Sequence, residues 1–520
     1  MFPINGSYDA IYAGFSWDIP KQLNMARQVC DDWADKSPDK VALIDFTEGQ
    51  RVDVTYAELR SMADGLAHHL SATVSHGDRV GVLRSQSVWT AAAHIAIWKL
   101  GAISIPLFKL FANDALETRL SDAGVICVVT DIEGVDVVNG LGFKAHVPEI
   151  LSLSRQPFHT RETGSEEPAV LIYTSGTTGS PKGALHGHRV LSGHLPGVEM
   201  SHDRLGQADD VLWTPADWAW IGGLFDVLMP GLALGVPVVA SQVGKFSIDD
   251  CQRLIATCGV RNIFFPPTAL RMLKAEGATI ENLRSIASGG EPLGGEMLDW
   301  GRDAFGLTIN EFYGQTECNM IASSASTMFA PQAGCIGKTV PGHTLAVLDE
   351  DGNPTQIEGD IAVGKGSASM MLNYWNRPKE TAEKFKGDWM LTGDRGIWQG
   401  DYLRFVGRED DVITSAGYRI GPSEIEDCLL KHPAVVTVAV IGKPDDLRTE
   451  IVKAYVVLKN HAGATDALAA ELQDFVKVRL AKYSYPREIS FLKSLPMTVT
   501  GKIIRKELKR RAVAEKEQGS

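Results

Sequence analysis

The sequence lacks the features that identify several large classes of protein. Its seven cysteines are scattered, and they form neither a C-x-x-C pair nor a Cys/His cluster with zinc-ligand spacing. An odd and dispersed set of cysteines predicts reduced thiols rather than a disulfide framework. Basic residues are in deficit, with 51 Lys and Arg against 64 Asp and Glu, a net charge of −13. A nucleic-acid partner is therefore not expected, because phosphate backbones bind basic surfaces.

Long uninterrupted apolar runs are also missing. The two most apolar stretches, residues 88–108 and 221–240, are interrupted by charged residues and prolines. A membrane span needs about 20 mostly apolar residues, so neither stretch is expected to cross a membrane. The N-terminus has no basic segment followed by an apolar one, so no signal peptide is expected. Together with the reduced thiols, this predicts a cytoplasmic location.

The chain has the composition of a large globular protein. It has 520 residues, of which 44% are hydrophobic and 22% charged, enough for about three folding units. In the first 400 residues, short apolar strands such as 79–83 (RVGVL) alternate with helical segments, one of which follows the capping residue Ser87. Strands buried on both faces and separated by helices predict α/β layers with parallel sheets.

The pattern changes twice along the chain, which predicts the domain organisation. From about residue 335 short strands and turns dominate, and after residue 411 a smaller α+β unit follows. We expect an α/β N-terminal domain over residues 1–409, with two layered α/β subdomains and then a small β-barrel-like subdomain. A small mobile α+β domain is expected over residues 410–520. The polar stretch 407–411 predicts a hinge, placed at Asp410.

The strongest local feature is residues 173–183 (YTSGTTGSPKG), directly after the apolar segment 169–172. Glycines allow backbone N–H groups to turn toward an anion, and the hydroxyls and Lys182 add donors. The composition predicts a phosphate-binding loop. It is not a Walker A loop, because no Gly-Lys-Ser/Thr sequence closes it.

This loop resembles the signature loop of the adenylate-forming enzymes, which include acyl-CoA synthetases, peptide-synthetase adenylation domains and luciferases. Further segments resemble that family's motifs in the same order over about residues 25 to 511: 288–292 (SGGEP), 311–317 (EFYGQTE), 391–394 (LTGD) with 407–408 (GR), 416–420 (AGYRI) and 496–502 (PMTVTGK). One such motif is weak support, whereas the ordered set is specific.

The resemblance implies ATP, Mg²⁺ and coenzyme A as cofactor and co-substrates, and it implies a role for each matching residue. The nucleotide-binding residues would be Thr174, Ser175, Gly176, Thr177, Thr178, Lys182, Gly290, Glu291, Pro292, Glu311, Phe312, Tyr313, Asp394 and Arg408. The resemblance also implies that the small domain takes two orientations. In one of them Gly417 would face the pantetheine arm of coenzyme A, and Arg419 would contact phosphate in one of the two. Thr316, Glu317 and Lys502 would be catalytic.

Several of these roles have a physical rationale. Tyr313 offers a flat ring for adenine, and Asp394 can accept hydrogen bonds from both ribose hydroxyls. Glu317 is a hard oxygen ligand of the kind that Mg²⁺ takes. Lys502 can stabilise charge that develops on phosphorus. The 496–502 segment also resembles a site of lysine acetylation, which implies a lysine acetyltransferase acting on Lys502 as a partner.

The resemblance implies an ATP-dependent, AMP-forming carboxylic acid–CoA ligase, most like the medium-chain acyl-CoA synthetase branch. The acid pocket would be formed by Trp220, Gly222, Gly223 and Gly314. Acetate-specific relatives have a bulky tryptophan where Gly314 stands, so this glycine favours a longer acid, either medium-chain, short branched or aryl. Acetate or propionate, and a stand-alone enzyme that adenylates amino or aryl acids, remain alternatives. Trp213 and Trp218 fit the pocket and the core equally well.

Overall fold

The computed structural model describes residues 2–3, 6–174, 181–241, 247–408, 411–415, 418–445, 448–459, 464–480, 484–498 and 502–519. The side chains of Thr414, Tyr418, Arg419 and residues 516–519 are outside this description. Six predicted functional residues also lie outside the described residues: Ser175, Gly176, Thr177, Thr178, Asp410 and Gly417. Their assignments stay predictions.

The described strands alternate with helices over most of the chain. In chain order the strands are β1 (Val41–Asp45), β2 (Val52–Thr55), β3 (Arg79–Leu83), β4 (Ile103–Leu107), β5 (Cys127–Thr130), β6 (Lys144–His146), β7 (Pro168–Thr174), β8 (Lys182–Gly187), β9 (Leu212–Trp213), β10 (Val238–Ala240), β11 (Asn262–Phe264), β12 (Ser285–Gly289), β13 (Ile309–Gln315), β14 (Asn319–Ser323), β15 (Lys338–Thr339), β16 (Leu345–Leu348), β17 (Gly359–Gly364), β18 (Asn373–Tyr374), β19 (Phe385–Lys386), β20 (Trp389–Gln399), β21 (Tyr402–Arg408), β22 (Ile413–Ser415), β23 (Tyr418–Ile420), β24 (Val435–Asp445), β25 (Thr449–Leu458) and β26 (Glu488–Phe491).

The described helices are α1 (Tyr8–Gly14), α2 (Asp32–Lys36), α3 (Tyr56–Leu70), α4 (Val88–Lys99), α5 (Asn113–Ala123), α6 (Val135–Gly140), α7 (Val190–Ser201), α8 (Ile221–Gly223), α9 (Met229–Leu234), α10 (Ile248–Cys258), α11 (Pro267–Ala275), α12 (Gly295–Phe305), α13 (Pro378–Glu383), α14 (Pro422–Leu430), α15 (Asp466–Arg479) and α16 (Arg505–Gly519). Short 3₁₀ turns lie at Ile132–Gly134 and Pro148–Ile150, and π-helical turns at Arg27–Asp31 and Leu224–Leu228.

Two large sheets are built from the first 340 residues, and β18 joins the edge of one of them from later in the chain. The first has nine strands in the spatial order β15-β14-β13-β12-β11-β9-β10-β1-β2, and the six from β13 to β1 are parallel. The second has seven strands in the order β18-β8-β7-β4-β3-β5-β6, of which β7 to β6 are parallel. This arrangement confirms the predicted layered α/β class.

Helix α4 shows how the sequence produces this layering. The Ser87 side chain accepts a hydrogen bond from the Thr90 backbone N–H and caps the helix as predicted. The predicted apolar face of α4, which includes Ala91, Ile95 and Trp98, packs in the main core. On the opposite face, Ala93 and its neighbours pack against β3 and β5. Because both faces are apolar, the helix is buried all round rather than lying on the surface.

The later part of the chain forms two smaller sheets. An antiparallel sheet in the order β16-β17-β20-β19, with β21 paired to β20, forms the predicted barrel-like subdomain as a half-barrel. After it, β23-β22-β25-β24 with β26 parallel to β25, packed against α14, α15 and α16, forms the small α+β unit. None of the helices in the described residues combines the length and the apolar character that a membrane crossing needs.

Candidate active site

The predicted motifs follow the carboxyl ends of parallel strands. Strand β7 ends at Thr174, where the glycine-rich loop begins, while β12 ends at Gly289 and β13 at Gln315. Strands β12 and β13 are neighbours in one parallel sheet. The loops that follow them therefore emerge at the same sheet edge, which is where open α/β sheets bind ligands.

The far side of the glycine-rich loop lies next to Glu317. Thr174 pairs with Lys182 in the β7–β8 hairpin, so the loop returns to its starting point. The Lys182 ammonium lies 5.6 Å from the centroid of the Tyr374 ring. The Tyr374 hydroxyl donates a hydrogen bond to Glu317 Oε1, and Glu317 is 8% exposed. One cation and one buried carboxylate thus converge on the same tyrosine.

A second group of hydrogen bonds joins Tyr313 to Asp394. The Tyr313 hydroxyl donates to Asp394 Oδ2 at 2.5 Å, and Gln315 Nε2 donates to the same oxygen at 2.9 Å. Asp394 lies opposite Arg408 in the β20–β21 pair. Burial raises the pKa of the Asp394 carboxyl, and the hydrogen bond from Tyr313 opposes that rise. The structure therefore brings together the residues predicted for adenine and for ribose.

The loop after β12 is shaped by a glycine and held by an ion pair. Gly290 has φ +97°, a left-handed backbone conformation in which a side chain would be strained. The Arg271 guanidinium contacts Glu291 at 3.0 Å, and Pro292 follows in the same loop. Phe312 on β13 is buried against Phe264, with ring centroids 5.2 Å apart. Its ring is therefore part of the core packing under the site and not part of the loop after β12.

Lys502 reaches this site from the small domain. Its side chain is solvent-exposed, yet the surrounding protein lowers the pKa of its ammonium, and Glu291 and Asp394 oppose that lowering. Its backbone N–H donates to Thr498 Oγ1 at 3.0 Å. The Lys502 ammonium therefore lies within electrostatic reach of two carboxylates of the candidate site, one on the loop after β12 and one on β20.

Helix α14 carries a carboxylate into the same interface. Asp427 on this helix lies against the turn at Gly294, where its Oδ1 would be 3.1 Å from a Cβ. Burial raises the pKa of Glu311 on β13 to about 8, and the nearby Asp427 carboxylate raises it further; burial also raises the pKa of Asp427 to about 6, with a further contribution from Glu426. Glu311 Oε1 accepts the Leu293 N–H at 3.1 Å, which fixes the loop after β12.

The predicted acid-pocket residues lie beside aromatic side chains. Trp220 is half-buried and meets Phe108 edge to face, with centroids 6.0 Å apart. A Cβ on Gly222 would lie 3.1 Å from the Phe264 ring, and one on Gly223 would lie 2.3 Å from the Asp217 carbonyl oxygen. Gly223 is thus required by a close backbone approach. Trp213 and Trp218 are fully buried, which places them in the core.

The backbone around position 314 requires a glycine there. Strands β13 and β14 have a bulge between Tyr313 and Gly314, and a Cβ on Gly314 would lie 1.7 Å from the Asn319 carbonyl oxygen. The side-chain direction at this position is therefore filled by backbone. A tryptophan at position 314 would require β14 to follow a different path. The glycine therefore allows the close approach of β14, in addition to any space it leaves in the predicted acid pocket.

Gly314→Ala is expected to destabilise the protein by about 1–3 kcal/mol, because the added methyl overlaps a backbone oxygen that cannot move independently. Thermal unfolding measures the effect as a lower melting temperature. Gly295→Ala on α12 is the matched control, since a Cβ there meets nothing within 4 Å and alanine favours helix. Equal melting temperatures for the two variants would contradict the close strand approach.

Some residues of the site were not found from the sequence. Tyr374, Gln315 and Arg271 belong to none of the roles assigned from the motifs, although each holds an assigned residue in place. Gln315 lies inside the 311–317 motif, so its position was the available signal. Tyr374 belongs to β18, which reaches the site only because it pairs with β8.

The residues present fit a magnesium ion bound together with nucleotide. Among the described residues, no three His, Cys, Asp or Glu side chains form a self-sufficient metal cluster. Mg²⁺ usually keeps several waters and takes one or two carboxylates plus substrate phosphates. Glu317, oriented by Tyr374 beside Lys182, supplies such a carboxylate at the edge of the phosphate loop.

Comparison with known sequences identifies both parts of the chain. The family described as "AMP-binding enzyme" matches residues 30–375, and "AMP-binding enzyme C-terminal domain" matches residues 424–502. The chain is 32% identical to the acyl-coenzyme A synthetase ACSM4, mitochondrial, of Homo sapiens, over 94% of this chain and 91% of that protein. It is also 32% identical to the acetyl-coenzyme A synthetase of Bacillus subtilis, over 97% and 93%.

Solved structures show the same architecture. An acyl-CoA synthetase from Brucella canis is 31% identical with a TM-score of 0.74, covering 98% of this chain and 99% of its own. The anthranilate CoA ligase AuaEII in complex with anthranoyl-AMP has a TM-score of 0.87 at 26% identity, covering 96% and 99%.

Proposed function

This chain belongs to the AMP-binding enzyme family and is an acyl-CoA synthetase, and we propose that it acts on a medium-chain, short branched or aryl acid. The reaction is acid + ATP + CoA to acyl-CoA + AMP + diphosphate, through an acyl-adenylate. Acetate or propionate, and amino or aryl acids adenylated without CoA, are the alternatives. The ligase chemistry is supported by the arrangement of Lys182, Glu317, Asp394 and Lys502 around the carboxyl end of β13, although they come from different sheets and from the small domain.

The first step forms the acyl-adenylate. A carboxylate oxygen of the acid attacks the α-phosphorus of ATP, the bond to the bridging oxygen breaks, and diphosphate leaves. Lys502, together with Thr316 and the loop donors, offsets the negative charge that builds up on the α-phosphate oxygens. Mg²⁺, when bound at Glu317, neutralises phosphate charge. Tyr313, Asp394 and Arg408 hold the adenosine.

The second step forms the thioester. The thiolate of CoA attacks the carbonyl carbon of the acyl-adenylate, and AMP leaves as the C–O bond breaks. In this proposal the small domain rotates about Asp410 between the two steps and withdraws Lys502. Gly417 then faces the pantetheine arm, where the lack of a Cβ allows close approach of the thiol, and Arg419 contacts phosphate.

The aromatic pair of Trp220 and Phe108 supports an acid with more apolar surface than acetate, because each buried methylene contributes about 0.8 kcal/mol. The similar proteins include one named for acetyl-CoA and others named for acyl-CoA or anthranilate. The branch is therefore proposed from the site and not from any one relative.

Diphosphate release with Mg·ATP across a panel of acids tests the proposal. The panel runs from acetate to decanoate and includes isobutyrate, benzoate and phenylacetate, each with and without CoA. We expect CoA-dependent turnover that is highest with an acid longer than propionate. Turnover confined to acetate and propionate, or seen only with amino acids, would establish one of the alternatives instead.

We also propose that acetylation of Lys502 regulates the first step. Lys502 is an exposed residue, which supports access by a lysine acetyltransferase. Acetylation removes the positive charge that the α-phosphate needs.

A further inference from the structure

Asp122 is a carboxylate near the end of helix α5 that the proposed mechanism does not use. Its side chain is 20% exposed, and both of its carboxylate oxygens accept hydrogen bonds from other parts of the chain. The Tyr173 hydroxyl donates to Oδ2 at 2.7 Å, and the Arg377 guanidinium donates to Oδ1 at 3.0 Å. The backbone carbonyl of Asp122 also accepts a hydrogen bond, from Trp375 Nε1 at 3.1 Å. One residue of α5 therefore joins two segments that are distant in sequence.

The first of these segments leads into the glycine-rich loop. Tyr173 is buried on β7 and directly precedes Thr174, where the loop begins. Burial and the hydrogen bond to Asp122 raise the pKa of the Tyr173 hydroxyl, so this group stays protonated and remains the donor. Tyr173 also lies opposite Gly183 in the β7–β8 pair, which couples its position to the strand on which the loop returns. Asp122 thus fixes the point from which the predicted phosphate-binding loop emerges.

The second segment carries the hydrogen-bond partner of Glu317. Trp375 and Arg377 directly follow β18, the strand that ends at Tyr374, and the Tyr374 hydroxyl donates to Glu317. The pairing of β18 with β8 spans two residues. Because so short a strand has little backbone pairing, the side-chain hydrogen bonds from Trp375 and Arg377 to α5 also fix its position. The same residue of α5 therefore holds the strand that orients the proposed magnesium ligand.

The two segments carry charges that act on the same phosphates in the proposed reaction. The strand that follows the glycine-rich loop begins at Lys182, whose ammonium lies over the Tyr374 ring, and the hydroxyl of that ring binds Glu317. Displacing a reacting group by about 1 Å can slow a reaction about 100-fold. Residues that hold a metal ligand without touching the metal typically contribute about 10- to 100-fold to affinity or activity.

We propose that Asp122 is a positioning residue for acyl-adenylate formation, which sets the spacing between the glycine-rich loop and the carboxylate of Glu317. It acts through Tyr173 on one side and through β18 on the other. This inference rests on the proposed function, because the groups that Asp122 positions are the phosphate and magnesium ligands of that same reaction. Thioester formation from supplied acyl-adenylate uses neither ATP nor Mg²⁺, so it should depend much less on Asp122.

The Mg²⁺ requirement of the first half-reaction tests this inference. Asp122→Ala removes both side-chain acceptors. We expect diphosphate release at saturating ATP to fall about 10- to 100-fold, and the Mg²⁺ concentration that gives half the maximal rate to rise. Tyr173→Phe removes only the hydroxyl on the loop side, so its effect should lie at the lower end of that range, at about tenfold.

The conservative variant Asp122→Asn is expected to retain most of the activity. Its amide oxygen can accept from Arg377, and its amide nitrogen can donate to the Tyr173 oxygen, so both contacts are kept without the charge. Glu117→Ala is the matched control, because this carboxylate is exposed on the same helix α5. The control should leave both the rate and the Mg²⁺ requirement unchanged.

A double-mutant cycle identifies the route by which Asp122 acts. In the Tyr374→Phe background, Asp122→Ala should raise the Mg²⁺ requirement less than it does in the natural enzyme, because both changes release the same carboxylate of Glu317. A purely structural role instead predicts a lower melting temperature, an unchanged Mg²⁺ requirement and equal losses in the two half-reactions. That result would overturn the inference.

The design separates the possible failures. Where Asp122→Ala does not fold, Tyr173→Phe decides, and a natural rate with a natural Mg²⁺ requirement in that variant overturns the inference alone. A natural enzyme that releases no diphosphate with any acid overturns the proposed function, and the inference with it, before any variant is compared.

Discussion

Lys502→Ala is expected to slow acyl-adenylate formation by about 100- to 1,000-fold, the usual cost of removing one donor that stabilises developing charge. Lys502 is the cation that the small domain brings within electrostatic reach of Glu291 and Asp394. Its contribution grows as negative charge builds up on the α-phosphate, so kcat should fall more than the affinity for ATP. Diphosphate release and ATP–diphosphate isotope exchange measure the effect.

The same variant separates the two half-reactions. Thioester formation from supplied acyl-adenylate and CoA should continue at nearly the natural rate, because in the proposed mechanism Lys502 is withdrawn before that step. Lys506→Ala is the matched control, since this lysine is exposed on the adjoining helix α16 and was given no role in the site. Equal loss of both half-reactions would contradict the division of roles between the two domain orientations.

Glu317→Gln is expected to lower adenylation by at least about 100-fold and to raise the Mg²⁺ concentration required. Glutamine keeps the shape of the side chain and an oxygen for the Tyr374 hydroxyl, so the fold is preserved while the anionic ligand is lost. Titrating Mg²⁺ at saturating ATP measures the shift. Measurement of Mn²⁺-supported activity gives a second readout of the same ligand.

Two further variants make this experiment specific. Glu383→Gln is the control, because that carboxylate is 62% exposed on α13 and pairs with Lys379 one helical turn away. Tyr374→Phe removes the hydrogen bond that orients Glu317 and should have a smaller effect, about tenfold. An unchanged Mg²⁺ requirement in Glu317→Gln would exclude this residue as the metal ligand.

Much of the fold was predictable because its core strands are apolar on both faces. The segment 79–83 is the strand β3 with the expected bounds, and Ser87 caps α4 as its side chain indicates. Other element ends are less exact: the apolar pattern over residues 125–130 predicts a strand that begins at Cys127 in the structure, and the pattern over residues 423–431 predicts a helix that begins at Pro422. Pattern identifies an element more reliably than the hydrogen bonds at its ends.

The candidate site divides in the same way. Short-range motifs named Glu317, Asp394 and Lys502, because each lies in a segment whose residue types are specific for its chemistry. Tyr374 carries no such signal, because it is an aromatic residue on a two-residue strand outside the motifs. It also lies 57 residues along the chain from Glu317, the residue that it contacts. Gly314 is the opposite case. It lies in a recognisable motif, but the need for a glycine there comes from the close approach of the β14 backbone, which only the strand pairing shows.

Local composition and motif spacing were enough to predict the family, the order of the folding units and the residue types that carry the chemistry. Which of those residues meet depends on contacts between distant segments, and the fold alone shows them. The pairing of β18 with β8 brings Tyr374 to Glu317, and the small domain brings Lys502 toward Asp394. Contacts between distant segments depend on how sheets pack and strands pair, and a linear pattern does not record that geometry.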